Sequence, residues 1–397
     1  MIVNRSFLIS SLTFIFVFFP YIGPKIFPSD NQPYALLFSS VWLLLINKNK
    51  IKLLKGHYLL ISATFVALLI AITELEFFMI SFRSLIGYLS FLILNIFFYN
   101  HSRYYSFPIK TFRLIIYIWF FVALVQTFIY RDFLSFLISN FRSHELRGAL
   151  SLAPEPSYLG VIGCFFLIIS HTYLRDKSLS VISFFLVLLS QSGFAIILML
   201  FFLTLVSFKF LIKIKLRNLI FYFTLLLLFS FALFNIFDIS FISQRLYFVI
   251  TSLFTNPIDF IYLDGSSSDR FFHVVYSFLG AFESFFIPNG YLYWDQYAWQ
   301  KFNETKFVWI TTGRIMSTYG AMLFELGFFG FLIIFYINKQ LFNSNFSKFT
   351  LLITINFYLL FAIPLAFPLL PLLLNLKNYK YDRYKQESFT NENFSKN

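Results

Sequence analysis

The sequence predicts an all-α membrane protein with about 12 transmembrane helices and one large folded extracytoplasmic loop. Of its 397 residues, 59% are hydrophobic and 12% are charged, whereas a soluble domain has about 45–50% apolar and about 25% charged residues. Its apolar runs are repeatedly long enough to cross a bilayer. They lack the strict apolar/polar alternation of a transmembrane β-barrel, so helices are expected.

The candidate spans follow one another along the chain. They lie at roughly 7–23, 33–46, 57–73, 77–99, 112–130, 157–174, 178–190, 193–208, 218–237, 316–338 and 349–376. A break of the last run at Pro364 and Pro368 adds one short crossing and places both termini on the same side of the membrane.

Basic connections determine the predicted orientation. Short segments rich in lysine and arginine occur at 47–55, 101–113, 173–177, 209–217 and 338–348, and such loops stay in the cytoplasm. The chain then divides into membrane helices at 1–237, a large extracytoplasmic loop at 238–315, membrane helices at 316–376 and a cytoplasmic tail at 377–397. A shorter outer loop lies at about 131–156, and the functional site is expected in these two outer segments.

The outer segments carry arginine where the inner loops favour lysine. The outer arginines include Arg131, Arg142, Arg147, Arg245, Arg270 and Arg314. Topology and anionic lipid explain the inner lysines, so the net charge of +13 requires no nucleic-acid partner. A guanidinium can hold phosphate or carboxylate through two parallel hydrogen bonds. An anionic substrate approached from outside is predicted, with scattered surface charge as the alternative.

A helix is predicted in the large loop, starting at a cap formed by Ser267 or Ser268. Arg270, His273 and Ser277 then share one helix face. A helix N-terminus favours an anion, and Arg270 strengthens that preference. The alternative is an amphipathic helix on the membrane surface with His273 in water.

Few residues of the outer segments could act as a general base. By the predicted topology only His144 and His273 among the histidines face outside, so the base is one of these or a carboxylate. The outer segments contain no His-x-x-x-His, cysteine-pair or Asp-x-Asp pattern, so no catalytic metal is predicted.

Two charged residues fall within predicted spans. Arg83 lies near the outer end of one helix, and Glu325 lies inside another. Ionisable groups in a bilayer are costly, and they usually mark a functional site or form a pair. Glu325 is therefore a candidate supporting residue of the site. Alternatively, it neutralises Arg83 or Arg314 and holds the helices together.

The stretch RGALSLAPEPSYLG at 147–160 resembles a motif of bacterial O-antigen and capsular repeat-unit polymerases, the Wzy-type members of the O-antigen polymerase and ligase superfamily. There an Arg-Gly segment precedes Glu-Pro-Ser and a small residue, here Arg147-Gly148, Glu155-Pro156-Ser157 and Gly160. The later SSSDR, IPNGY and Glu-Leu-Gly segments are similar in type and order. The SQSG turn at 190–193 departs from the usual Ser-Arg-Thr-Gly, which leaves its role open.

The resemblance implies a metal-independent glycosyltransferase without a cofactor, acting in lipopolysaccharide O-antigen or capsule synthesis. Such an enzyme transfers a growing glycan from its polyprenyl pyrophosphate carrier, undecaprenyl pyrophosphate, to the next lipid-linked repeat unit on the periplasmic face of the bacterial inner membrane. The implied partners are the polyprenyl-pyrophosphate-linked glycan, membrane lipid, a chain-length regulator and a flippase. The alternatives are an O-antigen ligase, a polysaccharide flippase and a non-enzymatic sensor.

The resemblance also implies residue roles. Arginines would stabilise the pyrophosphate leaving group, and the candidates are Arg147, Arg270, Arg314 and Arg83. Glu155 or His273 would accept the proton of the acceptor hydroxyl. Because Pro156 at a helix start fixes the backbone beside Glu155, Glu155 is the favoured base. The supporting residues are Pro156, Ser157, Gly160 and Glu325.

The predicted orientation can be tested by cysteine labelling in a variant that lacks Cys164. A membrane-impermeant thiol reagent added from outside should label cysteines placed at Glu145 and Asp295. It should not label cysteines at Lys50 and Lys213, because these lie in basic, inner connections. Labelling at position 50 from outside would reverse the orientation and every site assignment that depends on it.

Overall fold

A computed structural model of the chain describes residues 4–25, 30–46, 51–74, 78–138, 140–142, 148–211, 265–305, 313–342, 348–361 and 363–379. Within these residues the chain is helical, and its β pairing is one isolated bridge between Ile22 and Ile138. The predicted all-α class is confirmed. The predicted span at 218–237, the first part of the large loop and the C-terminal tail beyond residue 379 lie outside the described residues.

The first eight helices follow the predicted apolar runs. They are α1 (Asn4–Phe18), α2 (Tyr34–Leu45), α3 (Lys55–Thr73), α4 (Phe78–Tyr104), α5 (Ile109–Phe128), α6 (Pro156–Ile168), α7 (Lys177–Ser190) and α8 (Gly193–Leu211). A π-helical turn at Ile169–Leu174 extends α6, and a 3₁₀ turn occupies Ser135–Leu137. Individual side chains and backbone conformations determine where α7 begins and ends. The Asp176 carboxylate accepts the Leu179 N–H and caps α7, and Gln191 ends α7 in the left-handed conformation.

Six more helices form the second part of the structure. They are α9 (Gly265–Glu283), α10 (Tyr293–Thr305), α11 (Thr318–Leu326), α12 (Gly330–Phe342), α13 (Lys348–Leu360) and α14 (Leu369–Asn375). 3₁₀ turns at Gly327–Phe329 and Leu376–Asn378 follow α11 and α14. The predicted outer helix is thus present as α9. It starts at Gly265, so Ser267 and Ser268 lie in its first turn and not at the predicted N-cap position.

Five helical segments are long and apolar enough to cross a membrane by themselves. They are Lys55–Thr73, Met79–Tyr104, Ile109–Phe128, Pro156–Leu174 and Thr318–Phe342. Five shorter apolar helices have 10–17 residues, which is less than the roughly 20 residues that a full bilayer crossing needs. The described residues therefore form a helical membrane protein, but they do not reach the predicted count of about 12 spans.

The last apolar run is interrupted at its prolines, as predicted. α13 ends at Leu360, and α14 begins directly after Pro368, because proline lacks the N–H that a continuing helix would need. The Asn375 side-chain amide in α14 donates to the Asn95 side chain in α4 at 3.0 Å. Together with a facing contact between Ala366 and Gly87, this shows that the chain runs back alongside α4.

Small residues and aromatic rings hold the helices together. The Trp119 indole N–H in α5 donates to the Phe18 carbonyl of α1 at 3.1 Å, which satisfies a buried donor. A Cβ on Gly160 in α6 would collide with Ala195 in α8. Because lipid is as apolar as these surfaces, close packing and interhelical hydrogen bonds associate the helices. Gly160, predicted to support the site, thus supports helix packing.

A sharp bend separates α11 from α12 inside the apolar segment Thr318–Phe342. Gly327 has φ +55° and ψ −130°, and a Cβ there would collide with the backbone carbonyl of Phe286. The Phe328 N–H donates to that same carbonyl at 2.7 Å. The connection after α9 therefore packs directly on the bend, which only glycine accommodates.

Gly327→Ala should lower the thermal unfolding temperature of the detergent-solubilised protein. A sparsely populated backbone conformation such as that of Gly327 costs about 1–3 kcal/mol for a residue with a Cβ, and the collision with Phe286 adds to that cost. Gly313→Ala is the matched control, because a Cβ at Gly313 meets no atom within 4 Å. Equal unfolding temperatures for the two variants would contradict the packing described at the bend.

Candidate functional site

A cavity of about 400 Å³ lies where α4, α6, α9 and α11 meet. Four arginines line it: Arg83, Arg142, Arg270 and Arg314. Three carboxylates line it as well: Asp30, Glu155 and Glu325. Ion-binding chemistry is thus concentrated at the end of the bundle where α4 and α6 begin. Of the predicted site residues, the cavity brings together Arg83, Glu155, Ser157, Arg270, Arg314 and Glu325.

The rim of the cavity is one connected chain of polar contacts. Arg142 binds two carboxylates, that of Asp30 at 2.8 Å and that of Glu155 at 3.1 Å. The Tyr158 hydroxyl donates to Asp30 at 2.9 Å, and an Arg314 N–H donates to the Tyr158 oxygen at 3.3 Å. We call these five residues the rim network. Charged hydrogen bonds of this kind are roughly twice as strong as neutral ones and fix side-chain geometry.

The start of α6 positions Glu155. Pro156 occupies the first helical position, where its missing N–H costs nothing, and Glu155 before it is extended with φ −144° and ψ 156°. The Glu155 carboxylate does not cap its own helix. It accepts from Arg142 at 3.1 Å through Oε1 and from the Ser157 hydroxyl at 3.3 Å through Oε2. The sequence predicted Arg147 beside Glu155. Arg147 lies outside the described residues, and the partner that the structure shows is Arg142.

The rim network controls ionisation at Asp30. Partial burial disfavours the charged carboxylate, but Arg142, the Tyr158 hydrogen bond and Arg314 outweigh burial, so the pKa of Asp30 lies below its usual value of 3.8. Burial lowers the pKa of the Arg142 guanidinium, and the charges of Asp30 and Glu155 more than reverse this. Both partners are therefore charged at neutral pH.

Two further arginines of the cavity each contact a neutral group. An Arg83 N–H donates to the Gly313 carbonyl at 2.5 Å, which ties α4 to the segment before α11. The Arg270 guanidinium carbon lies 4.5 Å from the centre of the Phe194 ring, a cation–π contact between α9 and α8. The carbonyl of Gly313 and the ring of Phe194 thus restrain these two arginine side chains at the cavity, and neither contact involves a carboxylate.

Glu325 lies in a different environment from Glu155. The Tyr88 hydroxyl in α4 donates to Glu325 Oε2 at 2.7 Å, and Glu325 is 9% exposed and lines the cavity. The alternative role of Glu325, an ion pair with Arg83 or Arg314, is absent from the ion pairs of the described residues. Its hydrogen-bond partner is a phenol, so Glu325 joins α11 to α4 through a neutral donor.

His273 is buried beneath the cavity and does not line it. Its ring is 0% exposed, and its Nδ1 accepts the backbone N–H of Met316 at 2.9 Å. Its ring centre lies 5.1 Å from that of Trp294. The predicted helix face is confirmed, since the Ser277 hydroxyl donates to the His273 carbonyl. A water-exposed His273 is ruled out by its burial, and the ring instead fastens α9 to the segment before α11.

Among the cavity residues that the sequence did not predict, three take part in the side-chain hydrogen bonds of its carboxylates. Asp30, Tyr88 and Tyr158 were not predicted, and Arg142 was counted only among the outer arginines. Asp30 and Arg142 are 112 positions apart, so no local spacing could pair them. His144 and Arg147 lie outside the described residues. Within the described part of the chain, no group of three or more His, Cys, Asp or Glu side chains could hold a metal ion.

Comparison of the sequence with protein-family models gives no match, and comparison with curated proteins gives no significant match. The residues of the cavity and their geometry therefore provide the evidence for function.

Asp30→Asn should reduce the acid sensitivity of the fold. Because the pKa of Asp30 is lowered, its ionised form contributes stability that is fully present above pH 3.8 and is lost as the pH falls through the lower folded-state value. Unfolding temperature measured against pH should therefore fall less steeply in Asp30→Asn than in the wild type. An Asp30→Asn/Arg142→Gln double-mutant cycle should show coupling. Additive effects would mean that this ion pair does not stabilise the rim.

Proposed function

We propose that the protein polymerises polyprenyl-pyrophosphate-linked oligosaccharide repeat units into O-antigen or capsular polysaccharide on the periplasmic face of the bacterial inner membrane. The observation that carries this proposal is the cavity, in which four arginines and three carboxylates meet at one end of a helical membrane bundle. A pyrophosphate headgroup on a lipid tail is an anionic substrate that such a cavity suits, because the headgroup needs guanidinium donors and the tail needs lipid.

The arginines would act on the leaving group. When a glycosyl bond to pyrophosphate breaks, negative charge grows on the pyrophosphate oxygens. Donors that are already oriented stabilise this charge without further reorganisation. Arg83 is held by a carbonyl, Arg314 by a phenol and Arg270 by an aromatic ring. These contacts support a role in which the guanidinium groups are positioned before substrate arrives.

The two predicted bases differ in their position relative to the cavity. Glu155 lines the cavity, whereas His273 is buried behind the lining residue Met316, whose backbone N–H it accepts. Both carboxylate oxygens of Glu155 are engaged, by Arg142 and by Ser157. These contacts favour a positioning role for Glu155, in which it orients Arg142 at the rim, and they argue against His273 as the base.

The proposal is tested by deleting the gene and separating surface polysaccharide on a gel. If the protein is the polymerase, the deletion strain should show a single repeat unit on the lipid core in place of the ladder. Loss of all repeat units would instead indicate an O-antigen ligase or a flippase, and an unchanged ladder would exclude all three.

Lysine variants introduced into the deletion strain test the arginines. Arg270→Lys and Arg314→Lys should each lose most polymer, with rates down by about 10²–10³-fold, because an ammonium cannot reproduce the two-donor fork of a guanidinium. Arg113→Lys is the control, since Arg113 pairs with Asp176 at 2.9 Å and does not line the cavity. Wild-type ladders from both cavity variants, at normal protein level, would show that Arg270 and Arg314 do not stabilise the leaving group.

A further inference from the structure

We propose that Glu325 accepts the proton of the attacking sugar hydroxyl, and that Tyr88 positions its carboxylate. This inference rests on the proposed polymerase function and names the catalytic base within the same cavity. It departs from the two bases that the sequence predicts, Glu155 and His273.

The contacts of the three cavity carboxylates separate their roles. Asp30 accepts from Arg142 and Tyr158 through Oδ2 and from Asn140 through Oδ1. Both oxygens of Asp30 are therefore committed to the rim network or to Asn140, and the same is true of Glu155, whose oxygens bind Arg142 and Ser157.

Glu325 is the carboxylate that these contacts leave able to take a proton. Among the described residues its hydrogen-bond donor is the Tyr88 hydroxyl, which occupies Oε2. A carboxylate in contact with a guanidinium is stabilised in its charged form and is a weaker base than one in contact with a phenol. Glu325 also lines the cavity, so a substrate hydroxyl can reach it.

The fold holds Glu325 firmly on the cavity wall. Its backbone carbonyl accepts the Gly290 N–H at 3.3 Å, and the bend at Gly327 follows two residues later. Tyr88 lies on α4, the same helix that carries Arg83 at the cavity. α4 therefore orients both the Glu325 carboxylate, through Tyr88, and the Arg83 guanidinium. This fixes the distance between the base and an arginine that would bind the leaving group.

The step balances with groups already named. The acceptor hydroxyl oxygen forms a bond to the anomeric carbon of the donor glycan, and the bond from that carbon to the pyrophosphate oxygen breaks. The bonding electron pair leaves with polyprenyl pyrophosphate, whose added charge faces the arginines. The hydroxyl proton passes to the Glu325 carboxylate, which later releases it to water and regains its starting state.

The test uses purified full-length protein in proteoliposomes, supplied with lipid-linked repeat units extracted from the deletion strain. Glu325→Gln should lower kcat by about 10²–10⁴-fold, the usual value of general-base assistance, while KM changes little. Glutamine keeps the size of the side chain and a carbonyl that Tyr88 can still donate to. Glu283→Gln is the matched control, because Glu283 at the end of α9 pairs with Lys301 of α10 at 3.3 Å and does not line the cavity. Its kcat should equal that of the wild type.

Each outcome separates the inference from the proposed function. Failure of the wild type to make polymer would overturn both. Polymer from the wild type together with near-normal kcat in Glu325→Gln would overturn the base and leave the polymerase intact. A raised KM with unchanged kcat would make Glu325 a sugar-binding group and would also overturn its role as base.

Two further variants keep the inference testable if Glu325→Gln does not fold as a monodisperse protein. Glu325→Asp retains a carboxylate and should keep more activity than any neutral substitution that folds. Tyr88→Phe removes the orienting hydrogen bond, so it should lower kcat less than loss of the carboxylate does, with KM unchanged. Wild-type kcat in Tyr88→Phe would overturn the positioning role of Tyr88. A kcat in Glu325→Asp no higher than in a folded neutral variant would overturn Glu325 as the base.

Discussion

The rim network is the interaction on which the cavity depends. Arg142 contacts Asp30 and Glu155, and Tyr158 continues the contacts to Arg314. These residues come from four separate parts of the chain: the segment before α2, the loop before α6, the start of α6 and the segment before α11. Removing one charge would leave its partner poorly compensated in a partly buried place, which costs more than an exposed pair is worth. The network thus closes the end of the bundle and gives the cavity its shape.

Side-chain hydrogen bonds also connect α4 to the neighbouring helices deeper in the bundle. Ser81, Tyr88, Asn95 and Ser102 are spaced seven residues apart, all are buried, and they form a polar line on one side of the helix. Tyr88 binds Glu325 of α11, and Asn95 receives hydrogen bonds from Tyr336 of α12 and Asn375 of α14. Several neighbouring helices are too short to cross a bilayer alone. Side-chain hydrogen bonds to one long helix supply the register that apolar packing in lipid leaves weakly defined.

The sequence predicted local features well and distant pairings poorly. Apolar run length gave the span at 57–73, observed as Lys55–Thr73, and proline chemistry gave both the break before α14 and the fixed start of α6. Helix spacing placed His273 on the correct face but could not show that Trp294 and Met316 cover it. The sequence also could not predict the partner of Glu155, because Arg142 and Asp30 are distant in the chain and meet only in the folded protein.

The charges of the cavity explain why arginines and carboxylates can share it. Asp30 and Glu155 both bind Arg142, so two of the three acidic groups are concentrated on one guanidinium at the rim. Arg83 and Arg314 donate to a carbonyl and to a phenol, contacts that leave their positive charge available to an anion. Glu325, also bound by a phenol, is not a member of the rim network. In the proposed polymerase, an anionic headgroup would bind Arg83 and Arg314 while the ion pairs of Arg142 stay intact, and Glu325 would accept the proton. Such separation of charge roles within one cavity is what a glycosyl transfer from pyrophosphate requires.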